Sequence, residues 1–235
     1  MDAAIADVIS KGLPRERARA IAGAFLPARR WGNRYDYHYV QAKLRTDPLY
    51  PGVTAVLRGA PWPVLDLGCG LGLLVHALRA DGQGQGYRGV DIDAAKIGRA
   101  RVAAGRAGLV DAGFETIDVS GALPAHAGSV VLLDVLQYLP DAQQRRVLAE
   151  AVARLAPGAP LVIRTPLAGD HARGWFTRVS DRVGHLSGWM GTAPRHYPTR
   201  EGLMAALAGH GLEASCSALY GNTPFNNWLV VARLG

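Results

Sequence analysis

The chain has 235 residues, 49% of them hydrophobic and 19% charged, which excludes a disordered protein and provides for one substantial core. Its net charge of +7 is spread along the whole length and rests mostly on arginine, with Lys11, Lys43 and Lys96 the only lysines, so no dedicated nucleic-acid arm is expected. Cys69 and Cys216 are too few for a disulfide framework or a zinc cluster, the first residues lack a signal-peptide pattern, and no run is long enough to cross a bilayer. A cytoplasmic protein of one structural domain is expected, its oligomeric state left open.

In chain order, residues 3–10 and 15–25 have helical spacing, broken by Gly12-Leu13-Pro14. An aromatic and basic stretch follows from Trp31 through Tyr35, Tyr37, His38 and Tyr39 to Lys43, ending at Asp47-Pro48. As a helix it places Tyr35, Tyr39 and Lys43 on one face. That face either covers a ligand or packs on the sheet with its hydroxyls in water. Residues 1–52 therefore read as a helical cap and 53–235 as the core.

The core opens with Val64-Leu65-Asp66-Leu67-Gly68-Cys69-Gly70-Leu71-Gly72, an apolar strand that runs into a glycine-rich turn and then into the helical pattern of Leu73, Leu74, Ala77 and Leu78. Such a turn is either purely structural or a place where a ligand meets the main chain at a helix start. The flanks favour a ligand. A second short strand ends in Asp91, about 20 residues past the last glycine, the offset at which a carboxylate reaches ribose hydroxyls in a βαβ unit. Strands over 114–119 and 129–139 carry Asp118 and Asp134. The spacing then predicts a helix over 142–155 with Asp141 as its N-cap, a strand over 161–165, a helix over 203–209 and strands over 213–220 and 228–233. This alternation defines an α/β fold with a mostly parallel sheet and helices on both faces. Between 166 and 199 the pattern breaks, and His171, Trp175, Phe176, His185, Trp189, His196 and Tyr197 cluster there. The stretch is either a substrate lid or a packed surface excursion. No ligand spacing for a metal is present.

With Asp66, the 68–72 turn, Asp91, the pair Asp118-Val119 and the run Leu132-Leu133-Asp134-Val135-Leu136, residues 63 to 166 resemble the class I S-adenosylmethionine-dependent methyltransferases. The resemblance implies a Rossmann-like fold with seven strands, the last antiparallel, and S-adenosyl-L-methionine as cofactor. It implies that Gly68, Cys69, Gly70 and Gly72 lie against the methionine part and that Asp66 helps hold its amino group. Asp91 would take the ribose hydroxyls, Asp118 the adenine amine, with Ile92 and Val119 beside them, and Asp134 and Val135 would line the sulfonium region. Tyr35 and Lys43 would close over the cofactor, with Lys43 or Arg45 neutralising its carboxylate. A looser similarity, carried by Lys43-Leu44-Arg45-Thr46-Asp47-Pro48-Leu49-Tyr50 and by residues 133–139, is to small bacterial methyltransferases of aryl-polyene and polyketide-type pigment pathways. It implies an aromatic or polyene acceptor, carried or not on an acyl carrier protein whose acidity suits this basic chain.

Methyl transfer from a sulfonium needs alignment and exclusion of water, and a phenol, with a pKa near ten, gains from a general base. Many relatives have histidine after the fourth-strand acid, where this chain has Gln137, a residue able to orient an acceptor but not to deprotonate it. His38, His185 and His196 are the candidate bases, and Tyr39, Tyr138, Trp175, Trp189 and Tyr197 the candidate acceptor contacts. O-methylation of a phenolic hydroxyl is the leading expectation, with C-methylation of the ring or carboxylate methylation as competitors. Two other classes share some features: a NAD-dependent oxidoreductase, whose glycine spacing differs, and a cofactor-binding protein without catalysis.

Overall fold

The apolar runs assemble into a seven-stranded sheet in the computed structural model, which describes residues 11–29, 31–168, 196–221 and 226–235. β1 (Val64–Leu67), β2 (Tyr87–Asp91), β3 (Ala112–Thr116), β4 (Ser129–Leu133) and β5 (Leu161–Pro166) pair in parallel, and β7 (Asn227–Leu234) lies antiparallel between β5 and β6 (Leu212–Ala218). The order is β3-β2-β1-β4-β5-β7-β6. After β1 the chain builds outward to β3 and then returns to place β4 on the other side of β1. The C-terminal ends of β1 and β4 thus form the topological switch point at which open α/β sheets bind ligands.

Alternation along the strands divides the core between two faces. Leu65, Leu67, Leu132, Ile163 and Val230 pack with Val147 and Leu148 of α6 (Asp141–Val152) and with Leu203 and Leu207 of α7 (Arg200–Gly209). The opposite face, with Val64, Val131 and Val162, meets α1 (Arg15–Gly23), α2 (Tyr35–Thr46), α3 (Leu49–Leu57), α4 (Leu73–Ala80) and α5 (Ala94–Arg106). Val40, Leu44, Leu49 and Val53 belong to this second cluster, so the N-terminal helices share the core of the sheet rather than resting on it. Asp66 and Arg164 fall at the strand positions that face this cap side.

Three strands are shorter than the sequence pattern predicts, β6 stopping at Ala218 instead of 220. β3 stops at Thr116, leaving Asp118 and Val119 in the following turn. β4 stops at Leu133 instead of continuing to 139, because Asp134 turns the chain with a φ of 61° and a short 3-10 helix (Leu136–Tyr138) follows. A separate α3 was not anticipated. Asp47 starts it by accepting a hydrogen bond from the Leu49 N–H at 3.0 Å, and Pro51 sits in the first turn, where a missing N–H is tolerated. α6 begins at Asp141 itself with Pro140 in the cap position, and α7 begins at Arg200, earlier than 203, because the Thr199 hydroxyl accepts from the Gly202 N–H. Residues 3–10 lie outside the described residues. Among the described residues no helix is long and apolar enough to cross a membrane.

His76 of α4 is buried against Phe25, ring centroids 5.3 Å apart, and its Nε2 has no partner among the described residues. Burial pushes the imidazole down to about 4, so it is neutral in the fold. The unfolded chain takes up this proton below about pH 6.5 while the fold resists it, so stability is lost as pH falls from about 6.5 towards 4. His76→Phe should flatten this part of the melting-temperature profile, and an unchanged profile would contradict the assignment.

Candidate active site

β1 ends in a turn whose three glycines all have positive φ: 82° at Gly68, 56° at Gly70 and 69° at Gly72, which also starts α4. Their reasons differ. A Cβ on Gly68 would stand 2.4 Å from Val135 Cγ2 and one on Gly72 would stand 2.5 Å from Phe114, so both make room for protein atoms. A Cβ on Gly70 would meet nothing within 4 Å. The space above Gly70 is open, as a ligand that approaches the main chain requires.

Acidic groups surround the turn. Asp66 is 2% exposed; the Tyr87 hydroxyl donates to its Oδ2 at 2.5 Å, and its Oδ1 has no partner among the described residues. Burial and the neighbouring Asp91 push its carboxyl up to about 7, against the hydrogen bond from Tyr87. A buried acceptor with a free lone pair fits a cationic donor such as the amino group of a methionine moiety. Asp91, at the end of β2, accepts from the Gly70 N–H at 2.8 Å and from the Asp93 N–H at 2.9 Å, which ties the glycine turn to the second strand. Each carboxylate oxygen retains capacity for a further hydroxyl donor. Ile92 follows with 68% exposure, an apolar surface beside this acid. Asp118 is exposed and accepts from the N–H and the hydroxyl of Ser120, both at 2.8 Å, while Val119 is buried. The Cys69 thiol, near Asp66 and Asp91, has its pKa raised by burial first and by those charges second; it packs over β2 where Gly89 leaves room.

α2 is pinned near both of its ends. Near its start, Asp36 pairs with Arg99 of α5 at 2.8 Å. At its end, the Lys43 ammonium donates to Asp47 at 3.0 Å, and Asp47 accepts from Arg164 of β5 at 3.1 Å. The same Arg164 guanidinium holds Asp134 through a short ion pair. Tyr35 and Tyr39 stack in parallel on this helix, ring centroids 6.3 Å apart, with Tyr35 46% exposed. Burial raises the Tyr39 phenol, with the Lys43 charge opposing. Burial pushes Asp47 up, but Lys43 and Arg164 outweigh it and hold it down at about 2. Arg164 and its partnership with Asp47 were missed by sequence reasoning. The available signal was Arg164 itself, a charge inside the apolar strand Leu161-Val162-Ile163, which requires buried partners.

At the turn after β4, Gln137 is 4% exposed, and its side-chain oxygen accepts from the Thr165 hydroxyl at 3.3 Å. Its amide therefore faces the neighbouring strand. Tyr138 beside it is half-buried. His196 is brought to the same turn: its N–H donates to the Gln137 carbonyl at 3.3 Å, its carbonyl accepts from Gln144, and its Nδ1 stands 3.9 Å from Asp141. Tyr197 follows, half-buried, and the Ala168 N–H donates to the Pro198 carbonyl at 2.9 Å, so the chain just past β5 meets the segment that leads into α7. His38 lies on an exposed part of α2, edge-on to Tyr37. His185, Trp175 and Trp189 lie outside the described residues. No cluster of metal-binding side chains occurs among the described residues.

The fold agrees with the comparisons with known proteins. Residues 13–216 match the family model described as a methyltransferase domain, and the chain belongs to that family. It is an enzyme of the class I S-adenosylmethionine-dependent type, and S-adenosylmethionine is its cofactor. No curated protein sequence matches the chain. Among solved structures, magnesium protoporphyrin IX methyltransferase from Synechocystis PCC 6803 with bound SAH is similar at 18% identity and a TM-score of 0.62, covering 92% of each chain. The mitomycin 7-O-methyltransferase is similar at 19% identity and a TM-score of 0.62 over 78% of this chain, which spans about half (52%) of that protein. The pyocyanin biosynthetic protein PhzM is similar at 17% identity and a TM-score of 0.64, over 92% of this chain and 62% of that one.

Proposed function

We propose that this enzyme methylates the hydroxyl of a small aromatic or polyene acceptor in secondary metabolism, O-methylation of a phenol being the reaction its site supports best. The observation that carries the reading is the seating of His196 on the turn after β4, where its N–H bonds to the carbonyl of Gln137, the residue before Tyr138, and its Nδ1 stands 3.9 Å from Asp141, with Tyr197 next in the chain. An imidazole there can take a phenolic proton, and the two tyrosines offer flat surfaces to a ring. The similarity to a 7-O-methyltransferase acting on mitomycin supports the same chemistry.

S-adenosylmethionine supplies a methyl group already activated on a sulfonium. The chain's own residues bind and align. Asp66 holds the ammonium, the 68–72 backbone carries the methionine part, and Asp91 accepts the ribose hydroxyls. Asp118 receives the adenine amine, with Ile92 and Val119 against the ring. Tyr35 and Tyr39 cover the cofactor, and Lys43, whose side chain is 27% exposed beside Asp47, keeps donors for the methionine carboxylate. Asp134 and Val135 border the sulfonium region, and Gln137, turned to Thr165, braces that turn from behind. The basic surface suits an acceptor on an acidic carrier protein.

The test is turnover of labelled S-adenosylmethionine with a panel of phenols. His196→Ala should lose most turnover while binding S-adenosylhomocysteine as the wild type does. A wild-type rate in that variant would overturn the role of His196 and favour an acceptor that is already ionised, a carboxylate or enolate. Asp91→Ala should lower S-adenosylhomocysteine affinity by about 1.5–3 kcal/mol, the scale of hydrogen bonds to a charged group. Unchanged affinity would remove Asp91 from the cofactor site.

A further inference from the structure

Arg164 is 3% exposed on β5 and grips two segments that come from different parts of the chain. One is Asp134, the only described non-glycine residue with positive φ. Arg164 holds it twice: its backbone carbonyl accepts from the Asp134 N–H at 2.8 Å, and its guanidinium pairs with the carboxylate. The other is Asp47 at the α2–α3 junction, reached at 3.1 and 3.4 Å. A left-handed conformation is unfavourable for a residue with a Cβ and persists only where the surroundings impose it. A planar guanidinium can bridge two carboxylates in a fixed geometry, which a lysine ammonium cannot reproduce.

We propose that Arg164 is a positioning residue for methyl transfer: one guanidinium fixes the 134–137 turn and anchors the cap helix, so that the two walls of the cofactor site are set by a single buried group. The inference rests on the placement of that turn beside the cofactor proposed above. Arg164 touches neither reactant in this role. It acts through Asp134, whose conformation sets where Val135 meets Gly68, and through Asp47, which fixes the end of the helix carrying Tyr35 and Tyr39.

The test is calorimetric titration of S-adenosylhomocysteine into the full-length protein and its variants, with melting temperatures recorded in parallel. Arg164→Met should bind at least tenfold more weakly, and Arg164→Lys should fall between it and the wild type. Asp134→Gly and Asp134→Ala both remove the carboxylate, but only alanine must pay for the left-handed conformation, so the glycine variant should bind about tenfold more tightly than the alanine variant. A lower melting temperature with wild-type affinity in Arg164→Met would make Arg164 merely structural and overturn the proposal. Equal affinities of the glycine and alanine variants would overturn it as well, and this comparison decides the matter if Arg164→Met does not fold. Val135→Phe separates the two levels of failure. Wild-type affinity in that variant would refute the placement of the turn beside the cofactor, whereas weakened binding with no difference between glycine and alanine at 134 would refute the role of Arg164 alone.

Discussion

Asp66→Asn should cost the enzyme at least tenfold in affinity for S-adenosylhomocysteine while making the ligand-free protein more stable at pH 8. The carboxylate is buried with one oxygen unpartnered, and its pKa is pushed from 3.8 up to about 7. The fold therefore keeps this proton between about pH 4 and 7, where the unfolded chain has released it. The stability linked to Asp66 is complete below about pH 4 and is lost as pH rises through about 7, by at most about 4 kcal/mol if each unit is worth 1.36 kcal/mol. Asparagine has no proton to lose and still accepts from the Tyr87 hydroxyl, so the decline should vanish from its melting-temperature profile. Ligand binding shows the opposite sign. An ammonium at Oδ1 stabilises the ionised form, so affinity in the wild type should rise with pH up to about 7, and binding below that pH should release a proton detectable in buffers of different ionisation enthalpy. A charged hydrogen bond of about 1.5–3 kcal/mol sets the tenfold or greater loss in the variant. Asp66→Asn with wild-type affinity and a wild-type pH profile would show that this carboxylate plays no part in holding the cofactor.

The second large effect is expected at Gly70, and it should differ in kind from the effects at Gly68 and Gly72. Gly70→Val places a branched side chain in space that holds no protein atom within 4 Å of the Cβ, so the fold should lose only about 1–2 kcal/mol for the left-handed conformation. Affinity for S-adenosylhomocysteine should nevertheless fall well over tenfold, because the side chain would occupy the ligand's approach to the main chain. Gly68→Ala and Gly72→Ala should instead lower the melting temperature first, since their Cβ atoms would stand 2.4 Å from Val135 and 2.5 Å from Phe114. A folded Gly70→Val protein that binds normally would reduce the turn to a structural device.

The parts of the fold that follow from local pattern were legible in the sequence. The strand and glycine turn at 64–72, the acid at Asp91 and the βα alternation all express short-range periodicity and turn chemistry. The ends of β3 and β4 were not, because an apolar run does not reveal that Asp134 will leave the strand. There its carboxylate pairs with Arg164, 30 residues later in the chain. The partnership of Asp47 with Arg164 spans 117 residues and has no local signature at all. Gln137 was read as able to orient an acceptor because it stands where many relatives have histidine, and its own surroundings have no local signature. The hydroxyl of Thr165 on the adjacent strand turns its amide inward. The three glycines looked equivalent in sequence, and only the contacts made from Val135 and Phe114 distinguish Gly70 from the other two.

The most direct measurement is a calorimetric titration of the wild-type protein, Asp91→Ala and Gly70→Val with S-adenosylhomocysteine, with NAD as the control ligand. Saturable binding of S-adenosylhomocysteine to the wild type, weakened tenfold or more in both folded variants and with no heat from NAD, is the expected result. Binding of NAD in its place, or S-adenosylhomocysteine affinity indifferent to both substitutions, would contradict a cofactor site built on the 68–72 turn and Asp91.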